Sequence, residues 1–200
     1  MLVLVDGDST LETKRLRLEP LTPHHARWLF PVLADARIYT YIPEDPLPDL
    51  DALTQRYQRL ATRRSPSGTE LWLNWAVRRT QEHDYIGTLQ ATVTADQHAT
   101  IAYLLNPAFW GNGYAQESCR RLLSLLFDGY HLQEVQAEAD TRNHASWTLL
   151  ERLGFRRIGV RHAADHFKGS SSDEYIYALT DGDWQAGMQG GISRRGTLAG

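Results

Sequence analysis

Tyr103-Leu104-Leu105-Asn106-Pro107-Ala108-Phe109-Trp110-Gly111-Asn112-Gly113-Tyr114-Ala115 is the stretch on which the fold turns. An apolar strand segment runs into a short loop, then a Gly-x-Gly turn, then the start of an amphipathic helix. The glycines allow the backbone to turn tightly, and the first-turn N–H groups of a helix have no carbonyl partners within it. The helix dipole adds partial positive charge at the same place, so the turn suits a phosphate or pyrophosphate. Gln116 stands where a dinucleotide fingerprint needs glycine or alanine, and no Gly-Lys-Ser/Thr ending marks a Walker loop. A bare Gly-x-Gly is also an ordinary loop-to-helix turn, so the flanking chain has to decide.

Downstream, Cys119, Leu122, Leu123, Leu126, Phe127 and Tyr130 follow the i, i+3, i+4 rule of a helix that Gly129 can end. Glu117 lies in its first turn, where a negative charge is favoured. Residues 134–139 read as a strand leading to Asn143, an N-cap for a helix through Leu153 that Gly154 terminates. Residues 155–161 and 173–179 read as the last two strands, with a loop between them.

Upstream, residues 15–19 alternate as a strand that Pro20 closes. Thr22-Pro23 is a helix start, and Pro31 should kink or shorten that helix. A second helix is expected over residues 49–64, with Leu50, Leu53, Tyr57 and Leu60 on one face. Three strands follow. Leu71, Leu73, Trp75 and Val77 alternate with Trp72, Asn74 and Ala76; residues 86–94 are rich in β-branched side chains; residues 100–105 are apolar and short. Short polar connections at 81–84 and 95–98 imply an antiparallel meander. The order predicts an α/β (α+β) domain, a mixed sheet with helices on both sides.

Two hundred residues suffice for one well-buried core, expected over residues 1–185, with a mobile C-terminal tail at 186–200. A net charge of −3 without a long Lys/Arg run offers no field for nucleic acid. The single Cys119 precludes an intramolecular disulfide and suits a reducing, cytoplasmic setting. Residues 1–6 are apolar for too few positions to form a signal or membrane helix, and no later run reaches spanning length.

With these pieces in order, the chain resembles the GNAT N-acyltransferase superfamily, in particular its ribosomal-protein N-terminal acetyltransferase (RimJ/RimL-type) branch. Trp110-Gly111-Asn112-Gly113-Tyr114-Ala115-Gln116-Glu117 is similar to that branch's W-G-x-G-Y-A-x-E loop. Asn143-His144-Ala145-Ser146, followed by Leu153-Gly154-Phe155, is similar to its N-x-x-S…L-G-F signature. Residues 11–18 resemble its opening strand, Tyr85-Ile86-Gly87-Thr88 its third, and Asp173, Tyr175, Tyr177 and Trp184 its closing strand and final turn. The resemblance spans about residues 10–185. It implies a mostly antiparallel sheet whose strands 4 and 5, in the family's count, splay apart.

The resemblance also implies a function: transfer of an acyl group, acetyl by default, from acetyl-CoA to a primary amine by direct attack, with no metal. The acceptor is a small-molecule amine or a protein N-terminus, neither nucleic acid nor membrane, and relatives often pair as homodimers. Leu104, Leu105 and Asn106 then meet the pantetheine arm, and the backbone of Trp110, Gly111, Asn112, Gly113, Tyr114 and Ala115 holds the pyrophosphate. Asn143 meets pantetheine, and Ser146 approaches the sulfur as proton donor. Family members often carry glutamate where Thr100 stands, and a threonine cannot deprotonate an ammonium. Glu138 and Asp165 are the alternative acids. A non-catalytic acyl-CoA-binding regulatory module is the competing function. An acidic acyl group such as succinyl would need Arg78, Arg142 or Lys168 near the acyl end. His162 and His166 flank Asp165 but lack a third ligand, and Cys119 lies on an apolar helix face, where a core role is expected.

Overall fold

The alternating leucines of the opening strand meet a long apolar strand in the computed structural model, which describes residues 9–193. Strands β1 (Leu11–Glu12), β2 (Leu16–Pro20), β3 (Glu70–Arg79), β4 (Tyr85–Thr94) and β5 (His98–Leu105) each pair antiparallel with the next, as the short connections predict. β6 (Glu134–Asp140) then lies parallel to β5. β7 (Arg156–Phe167) and β8 (Ser170–Thr180) form a hairpin, with β8 between β6 and β7.

Helices cover both faces. α1 (Ala26–Leu33) and α2 (Leu50–Leu60) pack Leu29, Leu33, Leu53 and Tyr57 against Ala76 on one side. α3 (Tyr114–Ser124), extended by one π-helical turn over Leu125–Gly129, packs Cys119, Leu122, Leu123 and Leu126 on the other. α4 (His144–Leu153) adds Leu150 and Leu153 there, and Trp184 of α5 (Asp181–Ser193) stacks on Phe127 with ring centroids 5.8 Å apart. α1 ends two residues beyond Pro31, after a 3₁₀ turn over Pro23–His25. Asp49 caps α2 by accepting from the Ala52 N–H.

Two expectations need correction. The alternation in β3 is lost to burial: Leu73 through Val77 are all buried, because helices cover both faces of this central strand. The loop expected after residue 161 is instead part of β7, which runs through Phe167 and carries His162, Asp165 and His166. Register shifts between Arg157 and Gly159 and between Arg161 and Asp165 break the period of two by which a strand is read. α5 runs to Ser193, into the stretch expected as a tail over 186–200, and residues 1–8 and 194–200 lie outside the described residues. Among the described residues no helix is long and apolar enough to cross a membrane.

Candidate active site

The site begins where two strands part. The parallel β5–β6 ladder joins only His98–Thr100 to Glu134–Gln136, yet β5 continues to Leu105 with β4 alone as its partner. From Ile101 onward the β6-facing edge of β5 therefore borders a gap. The Asn106 N–H donates to Ile86 O on the β4 side at 2.9 Å, so strand alternation aims the Leu105 N–H the other way, into the gap. Gly87 permits this pairing, since a Cβ there would collide with the Leu104 carbonyl oxygen. Of the three pantetheine-arm candidates, Leu105 is buried beneath α3 and Leu104 packs toward α1. Asn106 spends its side chain on structure, donating to Val32 O at 2.8 Å and accepting from the Ala108 N–H at 3.0 Å.

The glycine turn lies one short helical turn farther on. Gly111 and Gly113 both have positive φ, +75° and +79°, where a side chain is strained, and nothing would meet a Cβ at Gly111. Gly113 caps α3, whose first intrahelical donor is the Glu117 N–H, bonded to Gly113 O at 3.0 Å. The N–H groups of Tyr114, Ala115 and Gln116 thus point out of the helix end. The Trp110 indole donates to Leu105 O at 2.7 Å, and the Asn112 amide donates to Phe109 O and Trp110 O at 3.2 and 3.0 Å.

This turn is braced from the opening strands. Glu117 accepts from the Thr13 hydroxyl at 2.6 Å, the Arg15 N–H at 2.9 Å and Arg15 Nε at 2.7 Å. Arg15 also donates to Asn112 O at 3.0 Å and stacks over the Tyr114 ring. Burial alone would raise the Glu117 carboxyl, but the Thr13 and Arg15 donors outweigh it and hold it below its ordinary value.

Across the gap, Asn143 Oδ1 accepts from the Ser146 N–H at 3.1 Å, the expected N-cap, and its Nδ2 has no intramolecular partner among the described residues. Ser146 Oγ lies 2.8 Å from the Tyr103 hydroxyl of β5. Tyr103 belongs to the quoted stretch, but its spacing reads only as strand; no sequence signal pairs it with a serine 43 residues away.

The candidate acids are not brought to Ser146. Glu138 alternates with buried Ala137 and Ala139, so it faces the opposite side of the sheet from α4. There it accepts from Arg161 Nη2 at 2.8 Å, and Arg161 Nη1 reaches Glu174 of β8 at 3.0 Å. Burial, followed by the charge of Glu138, pushes the Glu174 carboxyl above its ordinary value. Sequence reading missed this acid, which no motif marks. Asp165 is exposed on β7 opposite Ser172, and Thr100 is exposed on the same sheet face as Glu138. Arg78, Arg142 and Lys168 are engaged elsewhere: with Glu19 Oε1 at 3.3 Å, with Asp140 Oδ2 at 2.6 Å, and with three backbone carbonyls, respectively. Cys119 is fully buried on the core face of α3, and burial pushes its thiol up to about 12. His162 pairs with Asp173 at 2.9 Å, and no group of three or more His, Cys, Asp or Glu side chains gathers in metal-binding range among the described residues.

Comparison with known proteins agrees with this geometry. The family model for the Acetyltransferase (GNAT) domain matches residues 15–156. The protein named Uncharacterized N-acetyltransferase YoaA of Bacillus subtilis (strain 168) is 27% identical over 171 residues, covering 84% of this chain and 95% of the relative. The ribosomal-protein-S5-alanine acetyltransferase of Vibrio fischeri superposes with a TM-score of 0.76 at 18% identity, over 88% of this chain and 99% of its own. The spermidine N-acetyltransferase of Vibrio cholerae, solved with CoA and spermine, gives 0.74 at 18% identity, over 86% and 99%. Splayed strands, glycine turn and matched domain lead to one conclusion: the chain belongs to the GNAT acetyltransferase family.

Proposed function

We propose that this chain transfers the acetyl group of acetyl-CoA to a primary amine by direct attack, in the manner of the ribosomal-protein N-terminal (RimJ/RimL-type) branch. The observation that carries this reading is the open edge of β5 beside the glycine turn. An unpaired strand edge suits an arm that carries amides, and helix-terminal N–H groups suit a pyrophosphate. Gly111, Asn112, Gly113, Tyr114 and Ala115 hold the anion through their backbone. Leu105 contributes its N–H, Leu104 and Asn106 flank it with their backbone polar groups turned to β4 and the following turn, and Trp110 contributes its exposed ring, because its indole N–H is already used.

Asn143 orients the arm through Nδ2. Bound acetyl-CoA supplies an activated thioester, whose carbonyl the Leu105 N–H polarises. Ser146 protonates the leaving sulfur. Arg78, Arg142 and Lys168 are each engaged elsewhere, which favours acetyl over an acidic acyl group. On the opposite face, Glu138 and Glu174 share the single Arg161, leaving net negative charge for an ammonium-bearing acceptor. Before attack, the ammonium loses one proton to bulk water or to Glu174, whose raised pKa suits a base.

The test is release of free thiol from acetyl-CoA against a panel of polyamines, amino acids and peptides with free N-termini. Amine-dependent release, with mass spectrometry showing an acetyl adduct on nitrogen, is the expected outcome. Tight CoA binding without release across the whole panel would sink the reading and leave the regulatory module in its place.

A further inference from the structure

The hydrogen bond from Tyr103 to Ser146 crosses from β5 to α4 in the stretch where β5 has lost β6 as a partner. Two atoms of Ser146 lie near the phenol oxygen: Oγ at 2.8 Å and the backbone carbonyl oxygen at 3.4 Å. The carbonyl can only accept, and a phenol is a stronger acid than an alcohol, so the phenol hydrogen points at Ser146. A serine hydroxyl offers one hydrogen and two lone pairs. With one lone pair occupied by Tyr103, its own hydrogen must point away from the phenol.

We propose that Tyr103 is a positioning residue for Ser146, holding Oγ so that the serine hydrogen is aimed into the gap between β5 and β6. This rests on the reading of Ser146 as proton donor to the leaving sulfur. As the acyl carbon–sulfur bond breaks, Ser146 Oγ gives its hydrogen to sulfur. Its remaining lone pair takes the proton shed by the nitrogen that has bonded to the acyl carbon. One proton leaves nitrogen and one reaches sulfur, so Ser146 ends as it began. Tyr103 stays neutral throughout, since burial raises its pKa well above the ordinary phenol value.

Tyr103→Phe keeps the ring and its packing in the core and removes only the hydroxyl. In wild type, one hydrogen bond to sulfur should make CoA bind about fivefold tighter than desulfo-CoA, as read by calorimetry. That preference should vanish in Tyr103→Phe and in Ser146→Ala, while thermal melting of Tyr103→Phe stays near wild type. In turnover with whichever amine the panel yields, Tyr103→Phe should lower kcat about tenfold at unchanged KM for acetyl-CoA. Adding it to Ser146→Ala should lower kcat no further. A wild-type preference for CoA that survives in Tyr103→Phe, no such preference in wild type, or wild-type kcat in the variant would each overturn the proposal. Absence of turnover with any amine would instead overturn the transferase reading, and the binding comparison would still judge Tyr103.

Discussion

Single atoms decide whether β4 and β5 can lie together at the gap. Gly87 is the clearest case, because its missing Cβ makes room for backbone, and backbone cannot rotate away as a side chain end can. Gly87→Ala should destabilise the protein by about 2–4 kcal/mol, in the range of core overpacking and backbone effects, and should raise the KM for acetyl-CoA. Urea midpoints and steady-state kinetics read the two effects, and a stable variant with unaltered KM would contradict the account. The glycine turn was legible residue by residue, since positive φ at a helix start leaves glycine few substitutes. Asn143 was legible as a cap for a similar local reason. Tyr103 and Glu174 were not legible, because each gains its meaning from a residue that is remote in sequence.

At the scale of elements, the junction between β6 and α4 is held by one buried acid. Asp140 accepts from Arg142 at 2.6 and 2.9 Å, from the Arg142 N–H at 2.8 Å and from the Ser172 hydroxyl at 2.6 Å. Burial alone would raise its pKa; the Arg142 and Ser172 donors outweigh that and hold it below the ordinary carboxylate value. A depressed folded-state pKa means a contribution that is complete above the unfolded value and lost as pH falls through the folded one. Asp140→Asn should therefore cost about 2 kcal/mol at neutral pH and flatten the loss of stability below about pH 4. Denaturant melts across an acid series check both parts; parallel curves for wild type and variant would contradict the assignment. The β7–β8 hairpin shows why element boundaries escaped the sequence. Its exposed polar residues and two register shifts remove the alternation that marked β2.

For the molecule as a whole, the hairpin tip reaches the chain between α1 and α2. Lys168 Nζ donates to Tyr39 O, Ile42 O and Glu44 O at 2.7, 2.8 and 3.1 Å, filling all three ammonium donors. Arg142 adds a bond to Ser170 Oγ at 3.0 Å and lies over the Phe167 ring, tying the same tip to the start of α4. Three segments distant in sequence are thereby tied together. Lys168→Met should speed amide exchange in residues 39–45 about tenfold while leaving CoA affinity unchanged. Exchange mass spectrometry measures this, and unchanged protection would remove the contact from any role in ordering the loop.

The sequence by itself determined the meander, the glycine turn, the Asn143 cap with its Gly154 end, and the family, because turn chemistry, helix periodicity and capping are local and recur at fixed spacing. Tertiary structure alone decided that Glu138 faces Arg161 across the sheet from Ser146, that Tyr103 rather than a nearby acid meets Ser146, and that Lys168 serves carbonyls instead of an anion. These outcomes depend on strand register and on which sheet face a side chain takes. A shift of one residue reverses that face, and no local pattern records which partner waits there.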